Sequence, residues 1–142
     1  MESFNEEHVE ARIREIHDAI QLLRGLISKG FGELMVHERL SMRYLVIQLV
    51  EAASSICMRV LLGFFDERAE GFPECFARLG VKGVIPEGLA LRLSSAARLR
   101  NLLVHRYWVI ADKKVYESVK RGLGDFEGFV GCVREFLRRT GG

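Results

Sequence analysis

Four residues, Arg100, Asn101, His105 and Tyr107, have types and spacing that answer a chemical requirement. Cleaving RNA without a metal calls for a group titrating near neutrality to move the 2′-hydroxyl proton. It also calls for a cation to stabilise the charge that builds on the phosphorus oxygens. Histidine and arginine meet those needs. On a helix Asn101 and His105 are four apart and share a face, so the amide can orient the imidazole or touch the phosphate. Arg100 stands five residues from His105, about 140° around a helix of ~3.6 residues per turn. One helix therefore does not aim both groups at one atom. A second copy across a two-fold axis supplies what the first lacks, which makes a homodimer a mechanistic need. One histidine then acts as base on the 2′-hydroxyl, and another histidine or water acts as acid on the leaving 5′-oxygen, leaving a 2′,3′-cyclic phosphate. The scheme needs no metal and no cofactor.

Charge around these residues is one-sided. Between Glu87 and Asp112 the chain has no acidic residue, yet it carries Arg92, Arg98, Arg100 and Arg106 beside His105. Arg98 and Arg106 suit phosphate oxygens of an RNA; the competing reading pairs Arg92 and Arg98 with glutamates on neighbouring helices. Glu51, in QLVEAASSI, is a candidate to face the cleft and tune His105, or else a surface residue or a partner of Arg92 or Arg98. Tyr107 has its own plain reading: a partly buried ring with its hydroxyl bonded near the helix end, Trp108 packing in the core or an interface. His8, His17 and His37 are expected to face solvent, and none is spaced with cysteines or carboxylates as a metal set.

The elements that must hold these residues are helical. Val9, Ile13, Ile16, Ile20, Leu23 and Ile27 recur in steps of four and three, one stripe of an amphipathic helix. Ser3 with Glu6 fits a capping box at its start, and Gly30 and Gly32 end it. A second helix is expected over 33–64 with Val36, Leu40, Ile47, Val50, Cys57 and Leu61 on its apolar positions and a bend or break near Ser41. Residues 66–83 hold Gly71, Pro73, Gly80 and Gly83 and read as a connection with one short helix over 74–79. Pro86 opens a third long helix that runs to about His105 through Leu89, Leu93, Ala97 and Leu103. Asp112 is the expected N-cap of a last one, carrying Val115, Val119, Leu123, Phe126, Phe129, Val130 and Val133. No alternation of period two appears. The expected fold is all-α, an antiparallel up-down bundle of four long helices plus a short one, forming a single domain over 1–142.

Composition agrees and excludes. At 142 residues, 49% apolar and 28% charged with two prolines, the chain is neither disordered nor fibrous. A net charge of +2 demands no nucleic acid globally. No run approaches the ~18–20 uncharged residues of a membrane helix, and the acidic start is unlike a signal peptide, so a soluble cytoplasmic protein is expected. Cys57, Cys75 and Cys132 are odd in number and scattered, which argues against a disulfide framework or a zinc site. Phosphate loops, nucleophile elbows and dinucleotide fingerprints are missing.

The octapeptide RNLLVHRY, residues 100–107, resembles the Arg-x4-His-x-Tyr signature of the HepT-like toxins of the HEPN superfamily. Chain length, helix order and the position of the motif late in the third long helix agree with that resemblance. It implies an all-helical, metal-independent endoribonuclease, the toxin half of a toxin–antitoxin pair, working as a homodimer with facing motifs. Arg100 and His105 would be catalytic and Asn101 supporting. The partner implied is a minimal nucleotidyltransferase (MNT) antitoxin that neutralises the toxin by transferring AMP to the motif tyrosine, Tyr107 here. Added nucleotides would place phosphate charge beside Arg100 and fill the cleft. Two other readings remain open: a non-catalytic HEPN subunit that holds a nucleotide or RNA end for the transferase, and a plain helical interaction protein with a vestigial motif.

Overall fold

The first apolar stripe buries as its spacing requires. Val9, Ile13, Ile16, Ile20 and Leu23 line one side of α1 (Glu6–Ile27), each at most 2% exposed. The computed structural model describes residues 4–141. The capping box at Ser3 lies outside the described residues. Asn5 caps the helix instead, its side-chain oxygen accepting from the His8 N–H at 3.1 Å.

A single 3-10 turn, Phe31–Glu33, separates α1 from α2 (Val36–Phe65). The second helix therefore starts three residues later than its composition suggests. Glu38 sets that start: its carboxylate accepts from the Met35 N–H at 2.9 Å and pairs with Lys29 at 2.6 Å. The thirty residues run unbroken through Ser41, without a break there. Val36 and Leu40 also depart from expectation, since both are exposed. The helix is apolar on most of its circumference; from Met42 to Leu61 it is buried on several sides, Val50, Cys57 and Leu61 among the buried positions as expected, whereas its first turns have no neighbour over Val36 and Leu40. By length and hydropathy α2 could cross a membrane, but 61% of its most apolar window is buried in the bundle, as befits its central helix.

Three further helices complete the chain: α3 (Phe72–Val81), α4 (Glu87–His105) and α5 (Asp112–Arg139). No strand occurs among the described residues, and the architecture is the all-α bundle with four long helices and one short. Pro86 stands at the N-cap of α4 rather than inside it. Asp112 is the first residue of α5, after an Ala111 cap, because its carboxylate is engaged elsewhere. Helix α1 packs on α2 and α3 on α4, while α5 lies against α1, α2 and α4 and closes the core. Phe76 and Phe129, both fully buried, meet edge to face at 5.6 Å between centroids.

Against expectation, two cysteines are bonded. Cys57 of α2 and Cys75 of α3, 18 residues apart in sequence, form a buried disulfide with Cα atoms 6.3 Å apart. Scattered spacing hid a pair that only the fold-back of α3 on α2 brings together. Cys132 remains a free thiol, and partial burial raises its pKa.

The α3–α4 contact is tight at one glycine. A Cβ on Gly80 would lie 2.6 Å from the Ala90 Cβ, whereas one on Gly124 in α5 would meet nothing within 4 Å. Gly80→Ala is expected to cost about 1–3 kcal/mol through overpacking. Gly124→Ala is expected to stabilise by up to about 1 kcal/mol, since a helix interior favours alanine. Urea unfolding of the two variants measures both; equal midpoints would contradict the packing.

Candidate functional site

The last turns of α4 carry the motif, and two other helices set what its arginine can do. Arg100, with 17% of its side chain exposed, lies against α2, where one guanidinium nitrogen donates to Glu51 at 2.6 Å. The other donates to the Asn101 side-chain oxygen at 3.0 Å. On the α3 side the guanidinium sits 4.9 Å over the Phe72 ring, a cation–π contact. Its Nε is buried with no hydrogen-bond partner. Glu51 thus faces the motif, but it grips Arg100 itself and not His105, Arg92 or Arg98. Asn101 likewise serves the arginine and makes no bond to the imidazole.

His105 ends α4 and is exposed, at the negative end of the helix dipole. No hydrogen bond or ion pair with a described residue restrains it. Nor does one join it to Arg100 within the chain, as the five-residue spacing leads one to expect. Arg98 and Arg106 are exposed and form no ion pair with a described residue. Arg92 pairs with Asp125 of α5 at 3.0 Å, an aspartate where glutamates were expected.

The Tyr107–Val109 segment is one 3-10 turn, closed by the Val109 N–H on the Arg106 carbonyl at 2.9 Å. Tyr107 is 63% exposed and Trp108 68%, with their rings edge to face at 5.3 Å. Neither ring is core, which removes the reading of Tyr107 as a half-buried aromatic.

One residue that holds this turn went unrecognised in the sequence. Arg43 of α2 donates from Nε to Asp112 at 2.5 Å and from its two terminal nitrogens to the carbonyl oxygens of Tyr107 at 3.0 Å and Ile110 at 2.5 Å. A lone arginine among Met42, Tyr44, Leu45 and Val46 was the only available signal. Its acceptors lie 64 to 69 residues away in sequence. Phe72 was missed for the same reason.

Of the other histidines, His17 and His37 are exposed as expected. His8 is not: it is half-buried against α2, with Nε2 3.2 Å from the Ser55 Oγ. Burial, then the charges of Arg59 and Arg12, hold its pKa below the ordinary histidine value. No group of three or more His, Cys, Asp or Glu side chains among the described residues is placed to hold a metal ion.

Residues 16–133 match the family described as Ribonuclease HepT-like. Curated protein sequences give no match. Among solved structures, a cytosolic protein of unknown function, YutE from Bacillus subtilis, superposes with a TM-score of 0.85 at 15% identity, over 99% of this chain and 95% of that one. A tri-AMPylated HEPN toxin of Shewanella oneidensis, solved in complex with an MNT antitoxin, gives a TM-score of 0.83 at 20% identity, over 90% of this chain and 97% of that one. A mutant MntA–HpeT toxin–antitoxin complex gives 0.81 at 19% identity, over 90% and 98%. At these identities the likeness is one of fold.

Arg43→Ala is expected to release the 106–111 turn, leaving two carbonyls and a carboxylate without their donor. Amide hydrogen exchange at Val109 should quicken at least tenfold, and stability should fall by about 1–3 kcal/mol. Unchanged exchange would show that the turn is held by other means.

Proposed function

Because the chain belongs to the HepT-like ribonuclease family, we propose that it is the toxin of a HEPN/MNT toxin–antitoxin pair, a cytoplasmic, metal-independent endoribonuclease acting as one domain over its whole length. Two copies face each other across a two-fold axis, so that the cleft holds two His105 imidazoles and two Arg100 guanidiniums. One imidazole takes the 2′-hydroxyl proton. The 2′-oxygen attacks the phosphorus, and Arg100 stabilises the charge gathering on the phosphoryl oxygens. The 5′-oxygen leaves with a proton from the second imidazole or from water, and a 2′,3′-cyclic phosphate remains. Arg98 and Arg106 take flanking phosphates.

The observation that carries this reading is the division of labour at the end of α4. Arg100 is fixed by Glu51, Asn101 and Phe72, while His105 and Tyr107 are exposed beyond it. A fixed cation and a free base are what two docked copies would need from each other. The exposed apolar side chains Val104, Trp108 and Val109 around them supply a surface for that docking. Exposure of Tyr107 fits a second role: its hydroxyl is open to an MNT antitoxin for AMP transfer. AMP there would put phosphate charge beside Arg100 and block the cleft.

The Arg100–Glu51 ion pair favours a second reading, a non-catalytic HEPN subunit that holds a nucleotide or RNA end. A carboxylate already occupies the guanidinium that catalysis requires.

Incubation with RNA in EDTA separates the two. Ribonuclease action is expected to leave 2′,3′-cyclic phosphate ends, and His105→Ala to slow cleavage by at least about a hundredfold. Binding without cleavage would establish the second reading. Size-exclusion chromatography is expected to give about twice the 16.2 kDa chain mass for wild type and His105→Ala alike. With the cognate transferase and labelled ATP, Tyr107→Phe is expected to take up no AMP; undiminished labelling would move the acceptor elsewhere.

A further inference from the structure

Beside the Arg100–Glu51 pair, the seam between α1 and α2 opens into a notch of about 140 Å³. Arg12 and Glu15 of α1 form one wall, and Tyr44, Ile47, Gln48 and Glu51 of α2 form the other. Its chemistry is mixed rather than cationic. Glu15 accepts from Arg12 through both oxygens, at 2.8 and 2.9 Å. Glu51 gives only one oxygen to Arg100; the other accepts no hydrogen bond from a described residue. Arg12 Nε is buried without a partner. At the rim stands the Tyr44 ring, 66% exposed and in no aromatic pair with a described residue.

A phosphate would meet two carboxylates here and gain little. A flat ligand with donors on one edge and acceptors on another, and an aromatic face to stack, fits the second Glu51 oxygen, the Gln48 amide and the Tyr44 ring at once. Among nucleobases guanine has that pattern: N1–H and N2–H₂ donate from one edge, and O6 and N7 accept on the other. The second Glu51 oxygen answers the first edge, and the Gln48 amide with Arg12 the second. Tyrosine stacking is how unpaired RNA bases are commonly held.

We infer that this notch is a base subsite that takes a guanine of single-stranded RNA, with Tyr44 stacking on it, Glu51 reading its donor edge, and Arg12 and Gln48 reading its acceptor edge. The inference deepens the reading of the chain as an RNA-binding enzyme and rests on it for the biological ligand. It also gives Glu51 two states. With the notch empty, the carboxylate holds Arg100. With guanine bound, its oxygens are shared with the base edge, and the guanidinium is freer to turn to the adjoining phosphate. Base recognition and readiness of Arg100 are thereby coupled through one side chain.

The test is titration of the full chain with guanosine, adenosine, cytidine and uridine 3′-monophosphates, which reads binding whether or not RNA is cut. The guanylate is expected to bind at least tenfold more tightly than the other three. Tyr44→Ala should lose about tenfold of that affinity and Tyr44→Phe should retain it. Glu51→Gln should erase the preference for guanylate over adenylate. Tyr44 is exposed, so thermal melting should show the alanine variant folded. Equal binding of the four nucleotides, or an unchanged Kd for folded Tyr44→Ala, overturns the subsite. Guanylate selectivity in a protein that cuts no RNA would keep the subsite and remove the ribonuclease. Cleavage with no base preference in binding would do the reverse.

Discussion

A guanidinium that leaves bulk water must find charge and hydrogen-bond partners in the fold, and the way Arg100 meets that demand organises the rest of the site. Its partners come from three places: Glu51 from α2, the Phe72 ring from the start of α3, and Asn101 from its own helix. The α3–α4 hairpin must therefore pack closely, which Gly80 permits at Ala90. The α2–α3 connection must bring Phe72 under the motif, and the Cys57–Cys75 bond ties those two helices within a few residues of both contacts. Ser94 adds a hydrogen bond at 2.9 Å to the Pro73 carbonyl, next to Phe72.

Beyond Arg100 the chain changes character. From Val104 to Val109 the side chains are exposed and none of them belongs to the core, although Leu103 before them and Ile110 after them do pack on it. The backbone is nonetheless fixed, because Arg43 reaches from α2 to two carbonyls and the first carboxylate of α5. Free side chains on a pinned backbone suit presentation to a partner: the entropy of ordering the turn is already spent, so an incoming surface need only order the rings. Helix α2 thus works on both sides of the motif, through Glu51 on the arginine and through Arg43 on the tyrosine turn.

Several features escaped sequence reading, and each did so for a physical reason. Val36 and Leu40 have the types of core residues, but a helix apolar on most of its circumference has more apolar positions than neighbours. His8 sits one residue from the α1 stripe and leans over the seam to Ser55, an orientation that depends on where α2 lies. Arg43 and the Cys57–Cys75 bond depend on contacts between segments remote in sequence. Type and spacing leave Glu51 open between the cleft, the surface and Arg92 or Arg98, and its actual partner is Arg100, which none of those readings names.

By itself the sequence determined the features that local periodicity controls: five helices, their order, the core stripe of α1 and α5, and the placement of Arg100, Asn101 and His105 at the close of α4 with Tyr107 just beyond it. These were legible because helix spacing and residue type are local properties of the chain. The tertiary structure alone decided which side chains meet: that Arg100 is gripped by Glu51 and Phe72, that Arg43 pins the turn, that two cysteines join, and that Tyr107 and Trp108 stay in solvent. Such pairings are fixed by how helices dock across long stretches of chain, and docking depends on the summed shapes of whole faces, which no short run of residues records.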